Sequence, residues 1–315
     1  MTEGLGTVEL SGGERAELVL VMAPQEPDTL EVRSLLGHKG GVWEYHIDRA
    51  LSGELEGLET RFYLAVVDGL AVSNVMTVEW GGAGILGHVF TRPEWRRRGL
   101  CDALFGVLQP HFVARGGRRL LLGTEYDSPA YHIYQRHGWR PILERRGFMD
   151  WQPAPTPPAG PMARVLPYAW RHWPALAPLF ADGGADGLQA LGLRYFGPEN
   201  FEWPGLALRQ RTIEHDDTVA LVAEDATGRP IALAIQSPDP RWSGCANVDL
   251  VGLPESADAL PPLLAALPAV DGKRQCWLPA GSSTRRAALE SAGWRLEATL
   301  AGQLPDGGDV VAYTG

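Results

Sequence analysis

The sequence predicts an α/β fold of the mixed α+β kind, built as two similar domains that each hold a mostly antiparallel mixed sheet flanked by helices. Three observations predict it: a β-rich hairpin, a strand–helix alternation after it, and a repeat of both patterns in the second half. The 315 residues are enough for two domains, and a hydrophobic fraction of 45% with 21% charged residues excludes a disordered chain.

The first sheet is indicated by β-prone runs separated by two-residue turns. Asp68-Gly69 joins two such runs and is the strongest short hairpin signal, and Gly81-Gly82 leads into a third strand. A further strand and two helices are expected nearer the N-terminus. The expected strands are 16–22, 60–67, 70–80 and 85–91, and the expected helices lie near 29–36 and 45–51.

A strand–helix alternation follows this meander. Leucine, valine and phenylalanine side chains recur at helical spacing from Leu100 to Phe112, and Gly116-Gly117 ends that helix. Residues 118–123 then form a short buried strand, and a second helix over 128–137 ends before Gly138.

The second half repeats this plan. Residues 219–223 and 231–236 repeat the hairpin, and residues 277–294 align with 122–139 at an offset of 155 residues. Between the two halves, Gln152–Pro161 holds five prolines in ten residues and predicts an extended linker. We therefore expect domains at 1–151 and 162–315 with a linker at 152–161. Such an internal pair has less need of a second chain, which favours a monomer over a homodimer.

Composition excludes several classes of protein. The best candidate for a membrane span, Ala16–Met22, is too short to cross a membrane, and the N-terminal segment lacks a secretory pattern, which predicts a cytoplasmic protein without membrane association. Three widely spaced cysteines predict reduced thiols, and a net charge of −10 argues against nucleic acid as a partner. His132 and His137 have the wrong spacing for a helical metal site, and we expect no metal.

One basic segment interrupts the acidic chain. Between Arg92 and Arg119, seven arginines face two acids, a local charge of +5 that leaves −15 for the remainder. Within it, Thr91–Ala103 passes from a strand through a glycine-containing turn into a helix, which directs unpaired N–H groups and the positive end of the helix dipole at one point. This arrangement favours a bound pyrophosphate.

Two motifs in this region carry a family resemblance. The segment Arg96-Arg97-Arg98-Gly99-Leu100-Cys101 resembles the Arg/Gln-x-x-Gly-x-Gly/Ala signature of the GNAT superfamily of acyl-CoA-dependent N-acetyltransferases, with Cys101 in place of the last small residue. The second GNAT signature appears as Asp127, Ala130, Tyr134 and Gly138-Trp139, with Asp127 in place of the usual Asn. The resemblance is close over about residues 60–150.

The resemblance implies a sheet splayed between its fourth and fifth strands, which are 85–91 and 118–123. Pantetheine of acetyl-CoA, the co-substrate, would lie in that opening, and pyrophosphate would bind the turn. The cofactor-binding residues implied are Val89, Phe90, Thr91, Arg96, Arg97, Arg98, Gly99, Leu100, Cys101 and Asp127.

Catalysis requires a proton for the departing thiolate and a deprotonated amine. Tyr134 matches the tyrosine that donates to the CoA sulfur in this family, although its helical spacing also fits a packed core residue. Glu79 and His88 are the preferred candidates for a general base, and a reaction with no dedicated base is also open.

An acceptor wall is expected where the first two helices of the family lie. Trp43, Glu44 and Tyr45 combine two aromatic rings with a carboxylate, which suits a cationic or aromatic amine, and Glu125 follows the fifth strand. Packing of these aromatic rings onto the domain is the simpler alternative.

The second half lacks the features that hold pyrophosphate. Residues 248–264 carry three acids, no arginine and no Gly-x-Gly/Ala turn, which predicts a degenerate GNAT-like domain beside an intact N-terminal one. The leading hypothesis is an acetyl-CoA-dependent N-acetyltransferase that acts on a primary amine of a small molecule or peptide by direct attack on the thioester. The alternatives are an acyl-CoA-binding sensor without turnover and an S- or O-acyltransferase on the same fold.

Overall fold

The computed structural model describes residues 1–315 except 26, 54, 56, 183–200 and 305. The chain divides into two compact units, Met1–Thr156 and Pro157–Gly315. Their boundary lies within the proline-rich segment 152–161, in which neither a helix nor a strand forms.

The first unit is built on one mixed sheet. Its eight described strands are ordered β1-β2-β3-β4-β5-β6-β8-β7, and every neighbouring pair is antiparallel except β5 with β6. Their bounds are β1 Thr2–Glu9, β2 Arg15–Met22, β3 Glu59–Val67, β4 Leu70–Trp80, β5 Ala83–Thr91, β6 Arg119–Gly123, β7 Arg140–Pro141 and β8 Phe148–Trp151.

Strand β1 is the one strand of the first meander that the sequence did not predict. It lies at the sheet edge, most of its residues are exposed, and it bulges near Gly6, so no apolar alternation marks it. Because of β1, the parallel pair contains the fifth and sixth strands of the unit rather than the fourth and fifth. The two strands themselves are the predicted ones.

Helices cover both faces of this sheet. The bounds are α1 Val32–Leu36, α2 Gly41–Ser52, α3 Leu100–Ala114 and α4 Pro129–Arg136. The apolar stripe of α3 packs in one buried cluster with Tyr63, Val75 and Leu86 of the sheet. Phe62 and Met76 point to the opposite face, where α1 packs on β4, and are also fully buried.

The second unit has its own sheet, ordered β14-β15-β13-β12-β11-β10-β9 in the described residues. The strands are β9 Met162–Pro167, β10 Val219–Asp225, β11 Pro230–Pro238, β12 Cys245–Gly252, β13 Lys273–Pro279, β14 Arg295–Leu300 and β15 Val310–Thr314. The helices described are α5 His172–Asp182, α6 Glu202–Glu214, α7 Leu260–Ala265 and α8 Ser283–Ser291.

The two sheets share one topology. In the second, β12 and β13 form the parallel pair, and β13 is followed across the sheet by β15 and then β14, as β6 is followed by β8 and β7. The offset of 155 residues aligns Pro129, the first residue of α4, with Thr284. Helix α8 begins one residue earlier, at Ser283. The predicted fold class is confirmed. Each unit is an α/β structure with a mostly antiparallel mixed sheet that opens at its parallel pair.

The longest helix among the described residues, α3, has 15 residues. None of the helices there has both the length and the apolar character to cross a bilayer.

Candidate functional site

The sheet of the first unit opens between β5 and β6. Their parallel pairing is limited to Ala83–Ile85 against Arg119–Leu121. From Leu86 onward this edge of β5 has no strand partner in the described part of the chain, while the other edge stays paired with β4. Val89, Phe90 and Thr91 lie on this unpaired stretch and are half-buried. Their backbone groups line the opening and are suited to bind an extended amide-containing chain.

A β-bulge directs the side chain of His88. The register of β4 with β5 shifts between Asn74 and Met76, and His88 adopts a left-handed backbone with φ of +50°. The bulge is held by the Asn74 side chain, whose Nδ2 donates to the His88 carbonyl at 2.8 Å. One extra residue in β5 brings the His88 ring onto the face that α2 covers.

On that face His88 contacts two side chains of α2. Its ring centroid lies 5.2 Å from the Trp43 ring in an edge-on arrangement and 6.0 Å from the His46 ring. His88 is 7% exposed, and its Nε2 is buried without a hydrogen-bond partner among the described residues. Burial, together with the neighbouring His46, Lys39 and His38, holds the pKa of His88 well below its ordinary value, so the imidazole is neutral.

The turn before α3 presents backbone N–H groups. Gly99 has φ of +85° and Arg97 φ of +61°, and the first helical bond runs from the Ala103 N–H to the Gly99 carbonyl at 3.0 Å. The N–H groups of residues 97–102 donate no backbone hydrogen bond within the described residues. A Cβ on Gly99 would meet no atom within 4 Å, so the turn is open on this side. Several donors and the helix dipole therefore converge on accessible space.

The arginines of the basic segment do not form one patch. Arg115, Arg118 and Arg119 follow α3, whose 15 residues place them about 22 Å from the turn. Arg115 pairs with Glu79 and Arg119 with Asp150. The local charge of +5 is therefore divided between two ends of a helix, which linear spacing does not reveal.

At the turn itself the three arginines differ. The Nε of Arg96 donates to the Thr91 carbonyl at 3.1 Å, which ties the turn to the end of β5. Arg98 pairs with Glu14 from the β1–β2 loop, and its guanidinium lies 4.7 Å from the centroid of the Trp95 ring. Arg97 is exposed. The partner of Arg98 was not predicted, because Glu14 lies 84 residues away in sequence.

The beginning of α3 is partly buried. Leu100 is buried in the domain core, and Cys101 is half-buried behind the turn. Burial raises the pKa of the Cys101 thiol to about 12, so the side chain is a small neutral group and not a thiolate.

Tyr134 lies in the buried cluster beneath α3. It is 5% exposed, and its ring contacts those of Phe105 at 5.6 Å and Trp139 at 6.3 Å between centroids. Helix α4 is capped by Ser128, whose Oγ accepts from the Tyr131 N–H at 3.2 Å. Tyr134 is therefore a packed core residue, as the alternative interpretation of its helical spacing predicted. Proton donation by its hydroxyl stays a prediction.

Asp127 and Glu125 lie in the loop between β6 and α4. Both are exposed, and Asp127 has φ of +60°, a conformation that Asn and Asp tolerate better than other side chains. The Oδ1 of Asp127 lies 2.9 Å from Nε2 of His132.

Glu79 is held in an ion-pair network on the sheet face that α3 covers. Its two carboxylate oxygens accept bonds from Nη2 of Arg115 at 2.8 and 2.7 Å, and Arg61 lies 3.2 Å away. The Thr77 hydroxyl donates to it at 2.5 Å. His88 faces the other side of the sheet, so the structure separates the two side chains that the sequence placed together as candidate bases.

The residues predicted to form the acceptor wall lie on α2. Trp43 is half-buried against His88, Glu44 is exposed one residue later, and the Tyr45 ring lies 4.5 Å below the Arg49 guanidinium. Two residues of this wall were not predicted: His46, which is fully buried, and Asn74, which holds the bulge. Asn74 could have been found as a polar residue within the apolar run of β4. His46 could have been found because it follows directly after the predicted residues 43–45.

The sequence of this region matches a known family. Residues 72–147 match the model described as FR47-like protein, and they span β4, the bulge, the turn, α3 and α4. The first unit is therefore similar to the FR47-like family over these residues. No curated protein matches the chain.

Solved structures of several N-acetyltransferases are similar to about half of this chain. The ribosomal-protein-alanine N-acetyltransferase from Brucella melitensis is 17% identical, with 49% of this chain and 99% of that chain covered and a TM-score of 0.40. A GNAT phosphinothricin acetyltransferase from Sinorhizobium meliloti in complex with AcCoA is 14% identical, covering 49% and 88%, with a TM-score of 0.38. Spermidine N-acetyltransferase from Vibrio cholerae with CoA and spermine is 15% identical, covering 48% and 94%, with a TM-score of 0.35.

Among the described residues, no group of three or more His, Cys, Asp or Glu side chains is arranged to hold an ion.

Proposed function

We propose that this protein is an acetyl-CoA-dependent N-acetyltransferase that transfers an acetyl group to a primary amine of a small molecule or peptide. One observation carries the proposal: the unpaired edge of β5 leads directly to a helix-start turn whose N–H groups are unbonded and accessible. An extended amide chain that ends in a pyrophosphate matches both features at once.

The binding roles follow from this arrangement. The backbone of Val89–Thr91 would bond the pantetheine arm, and the N–H groups of 97–101 would bond the pyrophosphate. Arg97 is exposed at the turn and is the guanidinium we assign to phosphate, whereas Arg98 is already paired with Glu14. Arg96 fixes the turn to Thr91.

The chemistry requires two proton movements. Acetyl-CoA supplies an activated thioester, so no covalent enzyme intermediate is needed. Tyr134 would donate its hydroxyl proton to the departing sulfur. Nε2 of His88 would accept the proton that the attacking amine loses, since this nitrogen is buried without a hydrogen-bond partner among the described residues.

His88 is preferred to Glu79 as the base because of their surroundings. The carboxylate oxygens of Glu79 are occupied by bonds to two arginines and a threonine, on the sheet face that α3 covers. His88 is neutral and lies beside Trp43 on the face that we assign to the acceptor.

The acceptor is proposed to be cationic before reaction. Trp43 presents an aromatic ring, whereas Tyr45 already stacks with Arg49. Glu44 contributes an exposed carboxylate, and Glu125 adds a second one from the loop after β6. The acidic remainder of the chain, at −15 outside the basic segment, favours approach of a cation.

The two units are proposed to have different functions. Residues 1–151 would carry the acetyl-CoA site, and residues 162–315 would form a degenerate copy. In the second unit the segment after β12 is a 3-10 turn over Pro254–Ala259, without the arginines and the glycine of the first unit.

The decisive experiment measures release of CoA thiol from acetyl-CoA with a panel of primary amines. We expect amine-dependent release, and Tyr134→Phe should lower kcat at least tenfold. Tyr131→Phe is the matched control on the same helix and should leave kcat unchanged. His88→Gln should lower the rate in the same assay, whereas His132→Gln should not. The assignment fails if no amine supports release and Tyr134→Phe has no effect.

A second candidate is an acyl-CoA-binding protein without turnover. It is favoured by the departures at Cys101 and Asp127 from the family signatures, and by the pairing of Asp127 with His132. Calorimetry that finds tight acetyl-CoA binding without amine-dependent release would support this candidate. Thiol or hydroxyl acceptors that react in place of amines would identify an S- or O-acyltransferase.

A further inference from the structure

The second unit contains a cavity of about 650 Å³. It lies where β12 and β13 diverge, since these strands pair only over Cys245–Asn247 against Lys273–Gln275. Strands β12 and β13, helix α6 and the segment after β14 all contribute to its wall. Among the lining residues are Trp203, Leu208, Asn247, Asp249, Trp277 and Leu304. A volume of this size is typical of small-molecule sites.

One wall of the cavity is held in place by an ion pair. Asp239 accepts from Arg241 twice, at 2.8 Å from Nη2 and 3.1 Å from Nε. The Arg241 guanidinium then lies 5.0 Å from the centroid of the Trp277 ring and 4.5 Å from that of Trp242. The indole of Trp277 is thereby fixed from one side.

Two polar atoms on this wall are buried without a partner among the described residues: Oδ1 of Asn247 and Nε1 of Trp277. The Asn247 amide nitrogen bonds Asp239, which leaves its carbonyl oxygen as the group to be satisfied. The wall thus presents one unsatisfied acceptor and one unsatisfied N–H donor, an arrangement that costs free energy unless a ligand bonds to both.

The strand register places these two groups on the same face of neighbouring strands. Asn247 pairs with Gln275 in the parallel ladder, and Trp277 lies two residues further along β13, so all three side chains share one face of the sheet. A ligand that lies across the two strands would therefore meet both Asn247 and Trp277.

We infer that this cavity binds a neutral small molecule that carries a secondary amide on an apolar body. The amide N–H would donate to Oδ1 of Asn247, and the amide oxygen would accept from Nε1 of Trp277. The apolar body would pack on Leu208, Ile235 and Leu304 of the lining. This inference concerns the second unit alone and does not depend on the proposed acetyl transfer.

Besides Arg241, the cavity lining holds Arg211 and Asp249, one charge of each sign, and the turn after β12 disfavours a phosphate group. The 3-10 turn over Pro254–Ala259 that follows β12 carries Glu255 and Asp258 and no basic residue. Arg241 is already paired with Asp239. An anionic ligand such as CoA would meet no available basic group at that turn.

The test uses the full chain with N-benzylacetamide as the probe and two analogues. Benzyl acetate has the same shape but lacks the N–H donor, and benzylamine carries a positive charge. In a ¹⁵N-tryptophan-labelled sample, N-benzylacetamide should shift the indole N–H resonance of Trp277, which is assigned by its loss in Trp277→Phe. Calorimetry should show about tenfold weaker binding of benzyl acetate, the expected cost of one missing hydrogen bond to a buried partner.

Variants separate the two polar contacts from general packing. Trp277→Phe keeps the aromatic wall but removes the donor, Asn247→Ala removes the acceptor, and each should weaken N-benzylacetamide about tenfold. Trp242→Phe lies outside the lining and should bind as the parent does. The inference is overturned if the amide does not bind, if the ester or benzylamine binds as tightly as the amide, or if CoA displaces the amide. The comparison of amide with ester uses only the parent protein, so it does not depend on whether a variant folds.

Discussion

The imidazole rings of His46 and His88 stack at 6.0 Å between centroids with an interplanar angle of 21°. Both side chains are buried, His46 on α2 and His88 at the bulge of β5. Burial lowers the pKa of His46 to about 3 and, with His46 as its neighbour, holds that of His88 well below its ordinary value. Two neutral imidazoles therefore occupy the core beside the assigned acceptor wall.

The buried pair His46 and His88 predicts that the free energy of unfolding decreases in mild acid. The unfolded chain takes up a proton at each histidine near pH 6.5, whereas folded His46 does so only near 3, so protons favour unfolding between these values. Stability should be full above about pH 6.5 and should fall by about 1.4 kcal/mol per pH unit for each histidine below it. Urea unfolding at a series of pH values measures this slope.

Two checks isolate the contribution of these histidines. His46→Gln should reduce the slope, and His132→Gln, which replaces an exposed histidine, should not. Imidazole proton resonances of His46 and His88 should show no titration down to pH 5. Titration of both rings near pH 6.5 would contradict the prediction.

The network of Glu79 predicts a structural effect of its removal. Glu79→Gln leaves Arg61 and Arg115 without their shared carboxylate and should lower the free energy of unfolding by about 3 kcal/mol. Glu59→Gln is the matched control, because Glu59 also pairs with Arg61 but is mostly exposed, and it should cost less than about 1 kcal/mol. If Glu79 were instead the base, the rate of folded Glu79→Gln would fall while stability changed little.

Gly99 and Gly116 make a matched pair for testing the turn. They lie just outside opposite ends of α3, have φ of +85° and +82°, and a Cβ on either would meet no atom within 4 Å. Alanine at each should cost a similar amount, about 1–2 kcal/mol of backbone strain. Only Gly99→Ala should also weaken acetyl-CoA binding, measured by calorimetry, since its Cβ would occupy the space in front of the N–H groups. Equal affinities of the two variants would refute the assignment of pyrophosphate to the turn.

The cysteines are expected to differ in reactivity. Burial raises the pKa of Cys101 and of Cys276 to about 12, so almost no thiolate exists at pH 8. Cys245 is half-buried at the start of β12 and should react first with iodoacetamide. Peptide mass spectrometry of the native protein gives the order. Rapid labelling of Cys101 would contradict its burial and would reopen a covalent role for it.

Features that depend on neighbours in sequence could be predicted well. The Asp68-Gly69 hairpin, the strand 16–22, the helix from Leu100 and its end near Gly116 all appear in the structure close to their predicted bounds. The two similar sheets follow the repeat at an offset of 155 residues. Edge strand β1 was missed because an exposed strand needs no apolar alternation.

Features that depend on distant residues could not be predicted. Linear spacing grouped seven arginines into one basic segment, whereas α3 separates them into two ends. Glu79 and His88 looked equivalent, yet one is bonded to arginines and the other is neutral beside α2. The unpartnered atoms of Asn247 and Trp277 become visible only when two strands 30 residues apart are placed side by side.

The sequence alone determined the strands and helices between residues 60 and 137, the glycine-containing turn that resembles the GNAT signature, and the lack of that turn in the second half. These properties follow from backbone preferences within a few residues. Only the tertiary structure decided which face of the sheet His88 occupies, because a single bulge reverses the alternation of β5. It also decided which charges are already paired, since burial and ion pairing arise from contacts between residues that are distant in the chain.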